Sequence, residues 1–247
     1  MLTSIIVPAH NEEENLPLMI ESLIQTLDAE GIEREILIID DNSIDNTRQV
    51  AEKLSKEFDG VKVVFRSPPK GFGRALKDGL LAAKGDIIIP VMADRSEDPI
   101  DVVGLIKQVE AGYDIAFGSR FMKDSRLIDY PKTKLFANRA FNTLLRILFL
   151  IKQNDLTNAF KAYRKKVLLE IDLDSLKSNY FDINIELSLK SKALGFSVSE
   201  IPVAWLGRTK GQSKLKLLEM GPVYLKRMID VFVWRIKRTF RGSNNKS

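Results

Sequence analysis

The chain has 247 residues, 45% of them hydrophobic, enough to bury a sizeable core, and no cysteine, which excludes disulfides, thiolate metal centres and cysteine nucleophiles. Its net charge of +5 is unevenly placed, because eleven Lys and Arg face only two acids between 205 and 247 and the body before them is mildly acidic. No apolar run approaches the roughly 20 residues that span a bilayer, and the opening segment reads as a first strand rather than a signal peptide because it lacks a basic flank.

In chain order, 3–8 predicts a strand and 12–27 a helix, with Leu16, Met19, Ile20, Leu23, Ile24 and Leu27 at helical spacing. A strand at 35–40, a helix at 44–58, a strand at 61–65 and a helix at 71–83 follow. A strand at 86–91, a helix at 100–110 and a strand at 114–118 continue the alternation. Strands that are apolar throughout, each followed by a helix, predict an α/β fold with a mostly parallel Rossmann-like sheet covered by helices on both faces. Beyond Gly118 the rhythm changes. An apolar helix is predicted at 135–151, a strand at 157–163, a helix at 185–194 and a strand at 197–203. Residues 215–240 predict one or two basic amphipathic helices broken near Gly221-Pro222, and 242–247 predict disorder. The expected organisation is one domain over 1–214 with an appendage over 215–247, its mix of aliphatic, aromatic and basic residues suited to a membrane interface with Tyr224 and Trp234 as anchors.

Three strand ends carry the chemistry: Pro8-Ala9-His10-Asn11-Glu12, Asp40-Asp41-Asn42-Ser43 and Asp94-Arg95-Ser96. Parallel strands bring such ends to one edge of the sheet, where ligands of open α/β folds bind. Oxygen ligands there suit a hard divalent cation, Mg²⁺ or Mn²⁺, although Asp98 or Ser96 followed by Pro99 also suits a plain helix cap. Neither a Walker lysine motif nor a Gly-x-Gly-x-x-Gly follows the first strand, which disfavours P-loop and dinucleotide sites. A nucleoside diphosphate held through a metal fits better. Gly71 and Gly73 suit either a phosphate contact or a tight helix opening. A nucleic-acid partner accounts for the basic tail but not for the acidic crevice.

These motifs, with Gly71-Phe72-Gly73, resemble family 2 glycosyltransferases of the GT-A fold. Gly118-Ser119-Arg120-Phe121, Asp155-Leu156-Thr157-Asn158 and Arg208-Thr209-Lys210-Gly211-Gln212-Ser213-Lys214 are similar to the dolichyl-phosphate mannose synthase branch. The resemblance implies transfer of a sugar, mannose from GDP-mannose in the first place, to a polyprenyl or dolichyl phosphate, inverting and metal-assisted. It implies that Pro8, His10, Glu12 and Asp41 hold the nucleoside with Gly71 and Lys214, and that Asp94 holds the metal with Ser96 nearby. Ser119, Arg120, Lys134 and Asn138 would face the acceptor phosphate, and Arg208 would close over the phosphates, making Asp94, Arg120 and Arg208 the catalytic set. The protein would sit peripherally on the cytoplasmic face of a membrane, as a homo-oligomer or with a separate membrane subunit. A UDP-sugar donor with another glycan or lipid acceptor, and a non-catalytic nucleotide-sugar-binding homologue, stay open. Two positions depart from the family pattern. Met92 stands where an aspartate is usual, leaving Asp98 or Glu97 to support the metal, and His10, the only histidine, stands where an aromatic is common.

Overall fold

The computed structural model describes residues 1–207 and 217–244. The first half is the expected alternation: β1 (Thr3–Ala9), α1 (Leu16–Ala29), β2 (Arg34–Asp40), α2 (Thr47–Glu57), β3 (Val61–Phe65), α3 (Phe72–Ala82), β4 (Ile87–Pro90), α4 (Pro99–Glu110) and β5 (Ile115–Ser119). The second half adds β6 (Arg126–Ile128), α5 (Lys132–Phe149), β7 (Lys161–Arg164), α6 (Lys165–Ile171), a 3-10 turn (Leu173–Ser175), α7 (Ile183–Ala193), β8 (Val198–Pro202), β9 (Ala204–Leu206) and α8 (Leu217–Asn244).

Seven strands form the main sheet in the order β3-β2-β1-β4-β7-β5-β8. All neighbours are parallel except β7, which runs antiparallel to both β4 and β5. Alternation along each strand divides the core into two halves. Ile5, Val7, Ile36, Ile38, Ile87 and Ile89 pack under α1, α2 and α4, whereas Ile6, Leu37, Ile39 and Ile88 pack under α3 and the later helices. The chain winds outward from β1 to β3 and then returns to β4 on the other side of β1, so the order reverses between β1 and β4. The crevice at the carboxyl ends of these two strands is where such folds receive ligands.

Helix α1 starts at Leu16, with Pro17 in its first turn, rather than at 12. Glu12 is thereby left in the loop at the sheet edge. Helix α8 runs unbroken through Pro222, against the expected break there, and it reaches Asn244, inside the stretch expected to be disordered. The missing Pro222 N–H falls near the start of this helix, where the loss of one hydrogen bond is outweighed by burial of Met220, Tyr224, Met228 and Val231 on the body. Buried Arg227 fixes α8 further, its Nε 2.9 Å from Asp182 Oδ2. The tail is thus packed into the body along one face and open along the other. No helix among the described residues is long and apolar enough to cross a membrane.

Candidate active site

The strand ends are shaped by turns in the left-handed region, at Asn11 (φ 54°), Asn42 (φ 59°) and Arg95 (φ 63°). Asparagine tolerates that conformation, and here it also braces the loops against each other. Ser43 Oγ accepts from Asn11 N at 3.0 Å, Asn11 Oδ1 accepts from Ile44 N at 2.9 Å, and Thr47 Oγ1 accepts from Glu12 N at 2.8 Å. The two loops therefore form one unit around a cleft of about 1070 Å³.

Pro8, His10, Glu12 and Asp41 line one end of this cleft, together with Lys70, whose Nζ lies 3.5 Å from His10 Nε2. Asp41 is buried and already engaged: its Oδ2 accepts from Gly71 N at 2.7 Å and its other oxygen pairs with Arg66. The Gly71 N–H is thus spent within the protein. Its lack of a side chain has a packing reason, because a Cβ there would meet Asn179 O at 2.5 Å and one at Gly73 would meet Tyr180 O at 2.6 Å. The structure favours the tight helix opening over the phosphate contact at these glycines.

The loop after β4 forms the middle of the cleft. Met92, Asp94, Ser96 and Glu97 line it. Asp94 Oδ1 accepts from Ser96 N at 3.1 Å, and Glu97 Oε2 accepts from Met92 N at 3.0 Å. Asp98 is engaged elsewhere, capping α4 through Ile100 N at 3.2 Å and pairing with Arg126 at 3.1 Å. Burial and the neighbouring Asp94 charge push the Glu97 carboxyl up to about 8. Two buried acids, Asp94 and Glu97, share this part of the cleft.

Arg120 forms the far end. Its Nε and Nη2 are 2.7 and 2.9 Å from the two oxygens of Asp155, and Nη2 also donates to Thr157 Oγ1 at 3.1 Å. Burial alone would raise the Asp155 carboxyl, but the Arg120 guanidinium outweighs it and holds the group below its ordinary range. Beneath the pair, Lys161 donates to Leu156 O at 3.1 Å and to Asn158 O, and burial, opposed by Asp155, pushes its ammonium down to about 7. Beside Arg120, Asn138 Nδ2 donates to Tyr130 Oη at 2.6 Å, and Tyr130 packs edge-on against Trp205 with centroids 4.5 Å apart. Lys134 Nζ sits 5.4 Å from both ring centroids, a cation held at an aromatic lip.

Residues 4–172 match the model of the family described as glycosyl transferase family 2. The chain belongs to this family. It is 31% identical over 239 residues to the polyprenol monophosphomannose synthase of Mycolicibacterium smegmatis, covering 95% of this chain and 87% of that protein. It is 27% identical over 240 residues to the undecaprenyl-phosphate mannosyltransferase of Micrococcus luteus, covering 96% and 95%. The dolichol-phosphate mannosyltransferase of Pyrococcus furiosus is 32% identical over 219 residues, 87% of this chain but only 60% of that longer protein. Among solved structures, glucosyl-3-phosphoglycerate synthase from Mycobacterium tuberculosis, in complex with Mn²⁺, uridine diphosphate and phosphoglyceric acid, superposes with a TM-score of 0.69. That pair is 20% identical over 95% of this chain and 78% of the other, a likeness of fold. The fold is GT-A, and the protein is a glycosyltransferase.

Of the positions the family resemblance singled out, Pro8, His10, Glu12, Asp41, Gly71, Asp94, Ser96, Arg120, Lys134 and Asn138 line the same cleft. Ser119 does not: it is fully buried behind Arg120, and its Oγ accepts from Phe121 N at 3.3 Å. Tyr224, expected as a membrane anchor, is buried, lines the cleft and stacks on Phe141 with centroids 5.5 Å apart. Arg208 and Lys214 lie outside the described residues. Sequence reading missed Tyr130 and Trp205, which come together only through folding. It also missed Lys161, for which a signal existed: a lysine inside the apolar run Ala159-Phe160-Lys161-Ala162-Tyr163.

Among the described residues no group of three or more His, Cys, Asp or Glu is arranged to hold a metal ion. The donor set around Asp94 nevertheless fits a cation that arrives with a nucleotide. Mg²⁺-type ions commonly take one or two protein carboxylates and complete their shell with phosphate oxygens and water.

Proposed function

We propose that this glycosyltransferase moves mannose from GDP-mannose to the phosphate of a polyprenyl or dolichyl lipid, inverting the anomeric carbon, with Mg²⁺ or Mn²⁺ on the donor diphosphate. The observation that carries this reading is a single cleft with two opposite ends. Acidic strand-end loops lie at one end and the cationic pair Arg120 and Lys134 at the other. The names of the relatives point the same way. A cation at Asp94, with Ser96 beside it, would neutralise charge on the departing nucleoside diphosphate.

The chain's own residues do the rest. Pro8, His10, Glu12 and Asp41 enclose the nucleoside, with Asp41 fixed in place by Gly71 N and Arg66. The cleft edge of Arg120 and the ammonium of Lys134 orient the acceptor phosphate, with Asn138 holding Tyr130 beneath them. That phosphate is ionised near neutral pH, so it needs orientation and charge screening more than a general base. Arg208 and Lys214 are assigned to the phosphates as well.

The lipid reaches this cleft from a membrane surface. Helix α5, which carries Lys134 in its first turn, leaves Phe136 and Ile147 at 78% and 66% exposure, and Leu150, just past its end, is 87% exposed. Helix α8 adds exposed Ile229, Phe232 and Ile236, and the two helices touch through Phe149 and Phe232, whose centroids are 6.1 Å apart. Exposed Arg139 and Arg235 add positive charge for anionic headgroups. We place this face on the cytoplasmic side of the membrane.

The test uses purified protein, Mn²⁺, a short polyprenyl phosphate and radiolabelled GDP- and UDP-sugars. Label from GDP-mannose is expected in the organic phase. Label from a UDP-sugar instead would reassign the donor, and donor hydrolysis without lipid product would refute the acceptor. In flotation with anionic vesicles, the wild type is expected to rise with the lipid and the variant Ile147→Glu/Phe232→Glu to stay behind. Equal flotation of the two would remove the membrane face.

A further inference from the structure

Three acids sit between 94 and 98, and the loop sends them in different directions. Asp98 is spent on the α4 cap and on Arg126, at 3.2 and 3.1 Å. Asp94 lines the cleft and is steadied by Ser96 N at 3.1 Å. Glu97 folds back. The left-handed turn at Arg95 (φ 63°) reverses the backbone, and Glu97 Oε2 reaches Met92 N at 3.0 Å. The carboxylate therefore stands beside the backbone of residue 92, in the cleft wall and only 5% exposed. Position 92 itself contributes a thioether, a poor ligand for a hard cation.

We propose that Glu97 supplies the carboxylate that Met92 lacks, so that Asp94 and Glu97 together seat the divalent cation bound with the donor diphosphate. The inference rests on reading the cleft as a metal-assisted nucleotide-sugar site. Its physical basis is the geometry of the loop: Asp94 and Glu97 line the same cleft, and the Glu97 carboxylate stands beside the backbone of Met92, whose side chain carries none. Carboxylate oxygens are the ligands a hard divalent cation prefers, and two of them from one loop can take it together with diphosphate oxygens. The extra methylene of Glu over Asp gives the reach that the fold-back from 97 to 92 requires. A competing role for Glu97 is to pin the loop through the Met92 N–H. A glutamine amide oxygen would accept that hydrogen bond equally well, so Glu97→Gln separates the two roles.

The experiment measures Mn²⁺ binding by the loss of the free-ion EPR signal, in the presence of GDP and separately of UDP. It uses wild type, Asp94→Asn, Glu97→Gln and Glu97→Gln/Met92→Asp, with a thermal melt of each protein without metal. Glu97→Gln is expected to melt like the wild type and to bind Mn²⁺ at least roughly tenfold more weakly, the low end of what losing even an outer-shell partner costs. Met92→Asp in that background is expected to recover most of the affinity by returning a carboxylate to the same spot. Mn²⁺ binding by Glu97→Gln as tight as by the wild type would overturn the assignment, as would a double variant that recovers nothing. Wild-type protein with no Mn²⁺ affinity beside either nucleotide would overturn the reading of the cleft itself, which is a different failure.

Discussion

Asp94→Ala is expected to lower sugar transfer by about 10³-fold or more, a barrier increase of about 4 kcal/mol, while leaving the fold intact. Asp94 is buried in the cleft wall, where its Oδ1 accepts from Ser96 N at 3.1 Å. The leaving nucleoside diphosphate, however, loses its means of charge neutralisation, and that charge is largest in the transition state. The loss should therefore appear in kcat as well as in KM for the donor. Asp98→Ala provides the contrast. That side chain caps α4 through Ile100 N at 3.2 Å, so its removal is expected to cost about 1 kcal/mol of stability with transfer nearly unchanged. Steady-state kinetics and denaturant melts of the two variants check this directly. If both lose activity alike, the loop acts through its shape and Asp94 has no special charge role.

How much of this was legible in the sequence depended on whether the cause was local. The strands β1, β2 and β4 were readable because they are buried on both faces and so appear as continuous apolar runs. Helix α1 was readable because its buried set keeps helical spacing. Once those strands are parallel, their carboxyl ends must meet, and the placing of Asp41 and Asp94 in one cleft follows. The antiparallel insertion of β7 between β4 and β5 left no local trace, since an apolar run does not record its direction. The pair β6 and β9, three residues each, is too short to show a period. At Pro222 the local signal was real, but packing of Met220, Tyr224 and Met228 overrode it. Ser119 shows a reading that local geometry could have improved. Consecutive residues at a strand end point to opposite sides, so Ser119 and Arg120 were poorly placed to face one phosphate together.

Asp155→Asn is expected to destabilise the protein by about 3–5 kcal/mol, the usual cost of leaving one partner of a buried ion pair uncompensated. Asp155 is fully buried, and its two oxygens receive Arg120 Nε at 2.7 Å, Arg120 Nη2 at 2.9 Å and Asn158 N at 3.1 Å. An asparagine keeps the shape but removes the charge, and its NH₂ group turns a donor towards the guanidinium. The sign of the pH effect follows from the direction of the shift. Burial pushes the Asp155 carboxyl up, the Arg120 guanidinium more than offsets that, and the folded-state group lies below its ordinary value of 3.8. Its stabilisation is thus fully present above that value and is lost as pH falls through the lower, folded one. The gap between wild type and Asp155→Asn in denaturant melts should shrink on strong acidification, and it should also narrow as pH rises towards 7, because Asp155 supports the Lys161 ammonium that burial holds down to about 7. Arg120→Met/Asp155→Leu separates stability from function. Apolar residues of similar size can replace a buried pair at little cost, so this variant is expected to regain much of the lost stability. It should not regain transfer, because the guanidinium edge that faces the cleft is gone. Recovery of both would make the pair a packing device alone and would move the acceptor phosphate to Lys134. Recovery of stability without transfer would show that Asp155 is there to hold a cation in an apolar wall, at the angle the acceptor requires.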